Sequence, residues 1–463
     1  MPLSDQPLSP LDGRYRRITE PLAEHLSEAG LNRARLRVEV EWLIALTDAG
    51  VAGASALTAD EQAALRGLVT DFGDAEIAEL TRYEAVTRHD VKAVEYLLRD
   101  RLTTLGLDRI AELTHFAFTS EDVNNLAIAL TVQDALRTVW LPAFDAVLGR
   151  LVEKARAWAA VPMLARTHGQ PATPTTMGKE LAVFAHRLQR LRAGVLSVEV
   201  LGKSNGASGD YAAHVVAAPD VDWEAVSRRF VTGLGLTWNP LTTQIESHDW
   251  QVELYGRLTH VNGVLHNLCT DVWLYIADGY LRQLPVAGAT GSSTMPHKVN
   301  PIRFENAEAN LELSTGVLGT LERTLVTSRL QRDLTDSSTQ RNIGVGFGHA
   351  LVALSNLAAG LDEVDVDPVA LQADLDRNQE VLGEAIQTVV RAEIAAGRSC
   401  LTNPYELVKE LTRGRRVTAE RLAEFVRGLD LEPGAQERLA ALTPATYTGL
   451  AERLVAHLDD GGR

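Results

Sequence analysis

The sequence predicts an all-α fold, and two observations support this: its composition and its hydrophobic periodicity. Of the 463 residues, 45 % are hydrophobic but only 5 % are aromatic, so the core must be built from Ala, Leu and Val. Ala and Leu are strong helix formers, whereas aromatic and β-branched residues favour strands. Apolar residues also recur at spacings of three and four along most of the chain, which is the period of one helix face.

Six segments carry this period most clearly, and the later ones are far longer than the average helix of about 11–12 residues. The predicted helices cover residues 31–49, 91–102, 177–201, 248–280, 304–327 and 344–361. Long helices can bury an apolar stripe only by packing against one another. The sequence therefore predicts an elongated central helical bundle that self-associates.

Changes in helix length and the positions of helix-interrupting prolines divide the chain into three predicted domains. We expect an N-terminal helical domain over residues 1–112, a central long-helix domain over 113–364 and a C-terminal helical domain over 365–463. The acidic stretch 362–368 follows a predicted helix and ends in Pro368, so it is predicted to be a linker. Its spacing does not fit a calcium-binding loop, because the sixth position is not Gly and the twelfth is not Glu.

Charge and cysteine content exclude several classes of function. The net charge is −16, so we expect no binding to nucleic acid or to an anionic membrane surface. Cys269 and Cys400 are too few for a disulfide framework. No His-Glu-x-x-His or Cys-x-x-Cys motif occurs, so no metal is expected. With no signal peptide and no apolar run long enough to span a bilayer, the expected location is the cytoplasm.

Two glycine-containing segments superficially resemble nucleotide-binding loops. Residues 344–348 lack a preceding strand and the required third spacing, so we interpret them as a helix entry. Residues 202–209 contain Gly-Lys-Ser, but Ser197 stands where a phosphate-binding loop needs glycine. We expect an ordered loop there.

The segment 286–301 carries the strongest chemical signal, and it lies between two predicted long helices. It contains two glycines, two serines, two threonines and the pair Lys298 and Asn300. A plain surface loop is one interpretation, because glycines permit mobility and hydroxyls can cap the next helix. Its Met-Pro-His-Lys run is unusual for a spacer, however, and loops carry function disproportionately.

Residues 291–300, Gly-Ser-Ser-Thr-Met-Pro-His-Lys-Val-Asn, resemble the signature of the fumarase/aspartase lyase superfamily. Members of that superfamily eliminate fumarate, or a related acid, from a succinyl group. Other segments are similar to the adenylosuccinate lyase family in its longer bacterial form; they are residues 9–15, 87–93, 119–125, 166–174 and 329–341. The resemblance extends from about residue 9 to about residue 455.

The resemblance implies a β-elimination with an acid and a base. Ser292 is implied as the general base, and a plain loop hydroxyl bonded to substrate is its alternative role. His168 is implied as the general acid, because imidazole titrates near neutrality, with His89 as a second candidate. Lys298 and Asn300 would stabilise the dianionic aci-carboxylate that forms when a proton leaves the carbon beside a carboxylate.

The resemblance also implies substrate contacts at both ends of a nucleotide. Thr119 and Ser120 would bind the other succinyl carboxylate, a role compatible with capping a helix, because helix N-termini bind anions. For the phosphate, the expected groups are Arg14, Arg332 and Arg341, with Tyr15 and Ser337 as hydrogen-bond donors. The remaining implied contacts are Arg88, His89, Asp90, Gln244, Ser293 and Asn306.

The implied function is release of fumarate from adenylosuccinate and from the succinylated imidazole carboxamide ribotide of purine synthesis (SAICAR), without a cofactor. The resemblance further implies a homotetramer with a shared helical core, in which three subunits complete each site. An argininosuccinate lyase is the nearest alternative, but the His-Asp pair at residues 89–90 and the phosphate arginines argue against it. An inactive helical structural homologue is the alternative from another class, and the intact residues Ser292 and His168 argue against it.

Overall fold

The computed structural model describes residues 6–284, 295, 298–412 and 417–459, and helices dominate those ranges. The α-helices are α1 Arg16–Leu26, α2 Glu28–Asp48, α3 Ala59–Thr70, α4 Asp74–Thr87, α5 Asp90–Thr104, α6 Ser120–Ala135, α7 Leu141–Ala157, α8 Met177–Leu196, α9 Ala212–Ala217, α10 Trp223–Gly233, α11 Asp249–Ala277, α12 Ile302–Leu325, α13 Thr335–Gln340, α14 Ile343–Asp362, α15 Pro368–Arg377, α16 Gly383–Ala395, α17 Pro404–Thr412, α18 Ala419–Arg427, α19 Pro433–Ala440 and α20 Ala451–Leu454. A π-helical stretch, Leu136–Trp140, separates α6 from α7. The all-α prediction is confirmed.

The six helices predicted from periodicity correspond to α2, α5, α8, α11, α12 and α14, with ends that differ by a few residues. The apolar stripe of α11 illustrates the reason, since Leu254, Leu258, Val261, Leu265 and Leu268 are all buried. The glycine-containing segment 344–348 lies at the beginning of α14, so its interpretation as a helix entry is confirmed.

Short strands form two-stranded pairs in the described part of the chain. They are β1 Pro162–Met163 with β4 Thr175–Thr176, β2 Arg166–Thr167 with β3 Gln170–Pro171, β5 Leu201–Gly202 with β6 Thr237–Trp238, and β7 Leu281–Gln283 with β8 Val364–Val366. Of these, the β5–β6 pair is parallel and the other three are antiparallel.

The stretch 362–368 is not a simple linker, as its acidic composition suggested. It contains β8, in which Val364 and Val366 are buried while the intervening Asp365 is half-buried. That alternation is the period of a strand, and it was obscured by the surrounding acidic residues.

The chain folds into two compact units, each assembled from three stretches. The first unit contains Met1–Asp145, Ala193–Gly263 and Ala309–Ser355; the second contains Ala146–Arg192, Val264–Glu308 and Asn356–Arg463. The boundaries fall inside α7, α8, α11, α12 and α14. The predicted division into three consecutive domains stays a prediction.

The first unit packs α2 against α6 and adds a cluster of aromatic side chains. The Trp42 ring stacks on Phe118 with centroids 4.3 Å apart, and Phe230 lies 5.0 Å from Trp42. In the same unit α14 approaches α12 closely at Gly346, where a Cβ atom would lie 2.8 Å from Leu318 Cδ2. Glycine permits this close approach, because a Cβ atom there would displace the Leu318 side chain.

The second unit has its own apolar core in the C-terminal region. Ile386 and Val390 of α16 are buried together with Leu422 and Val426 of α18 and Leu439 of α19. This core keeps α16 in place, and α16 anchors one part of the candidate site described below.

One helical stretch, Thr335–Asp362, is long and apolar enough to cross a membrane by length and composition alone. Its most apolar window has a mean hydropathy of 1.4, and 67 % of that window is buried inside the protein. A core helix passes the same test, so this stretch is weak support for a membrane span.

Candidate active site

The N-terminus of α5 presents His89 and Asp90 in the first unit. His89 is the N-cap residue, and its ring Nδ1 accepts the backbone N–H of Lys92 at 3.3 Å. An accepting Nδ1 carries no proton, so in the neutral ring the proton is on Nε2. Arg88 precedes this cap with a φ of 54°, the left-handed region that favours Gly and Asn.

The Asp90 carboxylate is held by two arginines. Its Oδ2 accepts Arg35 Nη2 at 2.9 Å and Arg341 Nη2 at 3.3 Å, while Oδ1 accepts the Val91 N–H. Burial alone would raise the pKa of Asp90, but the charges and hydrogen bonds of these groups lower it on balance. Asp90 is therefore a fixed anion at a helix N-terminus, where a negative charge is favoured.

A second chain of contacts joins α2 to the beginning of α6. Arg35 Nε donates to Asn124 Oδ1 at 2.9 Å, and Asn124 Nδ2 donates to Glu121 Oε1 at 3.1 Å. Arg332 then pairs with the same Glu121 oxygen at 2.9 Å. We call the whole set the arginine–carboxylate network; it comprises Glu28, Arg35, Asp90, Glu121, Asn124, Arg332 and Arg341. It places two of the three predicted phosphate arginines, Arg332 and Arg341, beside the first turns of α6 and α5, respectively.

Thr119 occupies the N-cap position of α6 and Ser120 is the first residue of the helix. The Asp122 carboxylate accepts the Thr119 N–H at 2.8 Å through Oδ2. Its Oδ1 accepts Lys203 Nζ at 3.0 Å as well as the Asn205 and Gly206 N–H groups, in a fully buried cluster. Of the predicted loop at residues 202–209, Gly202 belongs to β5, and residues 203–209 form a loop that is bonded to α6.

Gln244 lies on the loop at residues 239–248, which is bonded to the 203–209 loop. Gln244 Nε2 donates to the Ala207 carbonyl at 3.0 Å. Thr243 Oγ1 donates to the Gln331 carbonyl at 3.0 Å, so the same loop also contacts the residue before Arg332.

His248 connects the loop of Gln244 with α13. Its Nε2 lies 3.3 Å from Asp336 Oδ2, and both side chains are buried. Asp336 Oδ1 also accepts the N–H of Ser337. Burial would raise the pKa of Asp336, but the His248 bond, the Ser337 N–H and the Arg332 charge lower it on balance. Ser337 is thereby fixed next to a buried anion.

A groove of about 550 Å³ lies between α1 and the beginning of α14. Arg341, Arg16 and Thr19 line it, and Arg14 and Tyr15 immediately precede Arg16 in the chain. The structure therefore brings the N-terminal segment to Arg341, whereas Arg332 is held at Glu121.

His168 lies in the second unit, at the tip of the hairpin formed by β2 and β3. Thr167 pairs with Gln170, so His168 and Gly169 form a two-residue loop with φ values of 55° and 72°. Positive φ at both positions is the type I′ turn, which matches the twist of the flanking strands. The turn leaves the imidazole exposed.

Two anchors fix the hairpin within its unit. Arg166 Nη2 pairs with Asp374 Oδ2 at 2.5 Å, and Tyr280 donates its hydroxyl to the same oxygen. Thr173 Oγ1 donates to Glu384 Oε2 at 2.6 Å, at the first turn of α16. Burial would raise the pKa of Asp374, but its hydrogen bonds and the two neighbouring arginines lower it on balance.

The signature segment is described only in part. Ser292 and Ser293 lie outside the described residues. Lys298 and Asn300 lie just before α12. The Lys298 N–H donates to the Met295 carbonyl at 3.0 Å, and the Asn300 carbonyl accepts the N–H of Ile302, the first residue of α12, at 2.8 Å. Asn306 follows in α12, and its Oδ1 accepts Asn356 Nδ2 at 3.0 Å.

Comparison with known proteins decides the family. Residues 13–316 match the family described as Lyase, and residues 328–448 match the one described as Adenylosuccinate lyase C-terminal. The adenylosuccinate lyase of Escherichia coli K12 is 46 % identical over 453 residues, covering 97 % of this chain and 98 % of that protein. The adenylosuccinate lyase of Haemophilus influenzae is 44 % identical with the same coverage. The chain belongs to the adenylosuccinate lyase family.

Solved structures support the fold assignment of this adenylosuccinate lyase family member. The 3-carboxy-cis,cis-muconate lactonizing enzyme of Pseudomonas putida superposes with a TM-score of 0.72 at 22 % identity, covering 96 % of this chain and 97 % of that one. A fumarate lyase of Mesorhizobium sp. BNC1 gives a TM-score of 0.73 at 19 % identity, covering 96 % and 98 %. At these identities the comparison shows the fold alone.

The motifs of the family did not reveal several buried residues that hold the N-termini of α5 and α6 in place. Arg35, Glu39 and Lys203 are buried charged residues, and each contacts a group near α5 or α6. The available signal was a charged residue on an apolar helix face, as at Glu39, whose neighbours three and four positions away include Leu36, Trp42 and Leu43. Among the described residues, no group of three or more His, Cys, Asp or Glu side chains could hold a metal ion.

Proposed function

We propose that the chain catalyses β-elimination of fumarate from adenylosuccinate, giving AMP, and from SAICAR, giving the corresponding carboxamide ribotide. The similarity to curated adenylosuccinate lyases along 97 % of the chain carries this proposal. The match of residues 328–448 to the adenylosuccinate lyase C-terminal family favours it over an argininosuccinate lyase. The geometry adds support, because an arginine lies at each of two helix N-termini in the first unit. Arg332 pairs with Glu121 at the beginning of α6, and Arg341 pairs with Asp90 at the beginning of α5, an arrangement suited to anions.

The proposed chemistry assigns one step to each group. Ser292 removes the proton from the carbon beside a succinyl carboxylate, and the resulting negative charge spreads over that carboxylate. Lys298 and Asn300 stabilise this aci-carboxylate as a cation and an amide donor. The C–N bond then breaks, its electron pair moves to the nitrogen, and His168 supplies the proton that nitrogen needs.

The proposed binding groups fall into two sets, one for the succinyl end of the substrate and one for its phosphate end. Thr119 and Ser120 at the beginning of α6 would hold the second carboxylate. Their half-buried position at a helix N-terminus supports this. The other proposed succinyl and base contacts are Arg88, His89, Asp90, Gln244, Ser293 and Asn306. Asp90 would act through its arginines, because its carboxylate already accepts from Arg35 and Arg341.

The phosphate would bind Arg14, Arg332 and Arg341, with Tyr15 and Ser337 donating. Arg341 is half exposed, and its partner Glu28 is 85 % exposed, so a phosphate dianion can replace Glu28 at little cost. The groove beside Arg341 and the N-terminal segment supports this placement.

We also propose a homotetramer with subunits that share sites, three consecutive domains with the boundaries given above, and a cytoplasmic location. The long helices α11, α12 and α14 support self-association, because they offer extended faces for packing. No nucleic-acid or membrane partner is proposed.

An ultraviolet assay with three candidate substrates tests the proposed function. Purified protein is mixed separately with adenylosuccinate, with argininosuccinate, and with fumarate plus ammonia. We expect turnover of adenylosuccinate only. Turnover of argininosuccinate with no turnover of adenylosuccinate would overturn the proposal, as would no turnover of any of the three.

A further inference from the structure

His115 lies where three elements of the first unit meet, and no step of the proposed mechanism uses it. Glu39 of α2 has a fully buried carboxylate that accepts the His115 backbone N–H at 3.1 Å through Oε2. The other oxygen of Glu39 contacts the His115 ring at Nδ1, at 2.5 Å. One buried carboxylate therefore holds both the main chain and the side chain of the same residue.

The backbone around His115 needs such support, because it is strained. His115 and Ala117 have φ values of 57° and 58°, a region that residues with a Cβ rarely adopt. The segment between them is fixed by Trp42 Nε1, which donates to the Phe116 carbonyl at 3.0 Å. Phe118 then stacks on Trp42, and Thr119 follows as the N-cap of α6.

The other ring nitrogen of His115 faces α5. His115 Nε2 lies 3.8 Å from Glu95 Oε1, and Lys92 Nζ contacts the second Glu95 oxygen at 2.5 Å. Burial alone would lower the pKa of His115, but the Glu39 bond and the charges of Glu39, Glu95 and Asp122 raise it on balance. A protonated ring fits this position, since it donates to the Glu39 carboxylate and lies within ion-pair distance of Glu95.

We propose that His115 is a positioning residue that is clamped between Glu39 of α2 and Glu95 of α5 and thereby sets the position of Thr119 and Ser120. The consequence is that the N-terminus of α6 stays in register with the N-terminus of α5, which presents His89. This inference rests on the proposed function, because it assigns substrate binding to Thr119 and Ser120.

The variant His115→Asn tests the inference while sparing the backbone. Asparagine tolerates the left-handed region and can donate to Glu39, but it cannot carry the charge or reach Glu95. We expect KM for adenylosuccinate to rise about tenfold with kcat changed less than about threefold, because uniform binding of a carboxylate is weakened. Ala117→Gly is the matched control; it relieves strain in the same segment without touching either carboxylate, and its KM should match wild type.

A second variant and a second readout separate this inference from the proposed function. Glu95→Gln keeps the Glu39–His115 bond and removes one charge, so its KM should rise less than that of His115→Asn. Hydrogen exchange of the amides at residues 119–122 should be faster in His115→Asn than in Ala117→Gly.

Unchanged KM in an active His115→Asn protein, with unchanged exchange at residues 119–122, would overturn the inference. A wild-type protein inactive on adenylosuccinate would overturn the proposed function instead, and the exchange measurement would still decide whether His115 positions the loop.

Discussion

Arg341 Nη2 donates to Asp90 Oδ2 at 3.3 Å, although 251 positions separate the two residues in the chain. The same oxygen accepts Arg35 at 2.9 Å, so one carboxylate at the beginning of α5 joins α2 to the residue that follows α13. This contact makes Asp90 the central anion of the arginine–carboxylate network. It also places a predicted phosphate ligand beside a predicted substrate-binding helix.

Asp90→Asn should lower the free energy of unfolding by about 1.5–3 kcal/mol at pH 7, because Arg35 loses its charged partner. The Arg35 side chain is only 7 % exposed, so water cannot replace that partner fully. Urea unfolding measures the change. Asp220→Asn, in an exposed turn before α10, is the control and should change stability little.

The difference in unfolding free energy between wild type and Asp90→Asn should depend on pH, with a sign that follows from the pKa of Asp90. The pKa of Asp90 is lowered in the folded state, so its stabilisation is present above the ordinary carboxyl pKa and is lost as the pH falls through the folded value. The stability difference between wild type and Asp90→Asn should therefore shrink below about pH 4. A difference that stays constant down to pH 3 would show that Asp90 does not act as an anion.

His168→Asn should abolish catalysis and preserve the fold. Asn-Gly is the preferred pair for a type I′ turn, so the hairpin tolerates this change. We expect kcat to fall by about 10²–10⁴-fold, with the melting temperature unchanged. Gly169→Ala is the reverse control, since it keeps the imidazole but strains a residue with φ of 72°. If His168→Asn keeps more than about a tenth of kcat, the proton comes from another group, and His89 is the next candidate.

Ser292→Ala should lower kcat by about 10²–10⁴-fold and leave KM and oligomeric state nearly unchanged, because a general base acts only in the transition state. Steady-state kinetics with adenylosuccinate measure both constants. Ser293→Ala, the neighbouring serine, should have a much smaller effect on kcat. Retention of more than about a tenth of kcat in Ser292→Ala would exclude this serine as the base.

Arg341→Ala should raise KM for adenylosuccinate by roughly ten- to a hundredfold, since a charge-assisted contact is worth about 1.5–3 kcal/mol. Part of the loss can also appear in kcat, because binding energy at a remote group is used at the reacting centre. Glu28→Gln, which frees Arg341 from its exposed partner, should not raise KM. With substrate that lacks the phosphate, wild type should lose most activity and Arg341→Ala little more. If Arg341→Ala lowers activity equally on substrates with and without the phosphate, the phosphate assignment is contradicted.

Much of the fold could be predicted because long helices leave a periodic apolar pattern. The stripes of α11 and α12 identified those helices without any tertiary information. The strand β8 could not be recognised, because its partner β7 lies about 80 residues away and composition favoured a linker. The short turn at His168 and Gly169 carried a usable signal, since a two-residue loop ending in glycine is typical of a hairpin.

The buried residues that position the site were harder to predict than the residues proposed to contact the substrate. Motif resemblance indicated His89, Asp90 and Thr119 by position. Arg35 and Glu39 belong to no motif, and their partners lie 55 and 76 residues away in the chain. Pairing of buried charges is decided by tertiary packing, so a sequence shows only that such a residue needs a partner.

The proposed reaction of this chain is cleavage of the C–N bond of adenylosuccinate. The most direct measurement is chromatographic quantification of both products after incubation with adenylosuccinate, for wild type and for His168→Asn. We expect AMP and fumarate in equal amounts from wild type and almost none from the variant. Fumarate without AMP, or equal product from the two proteins, would contradict it.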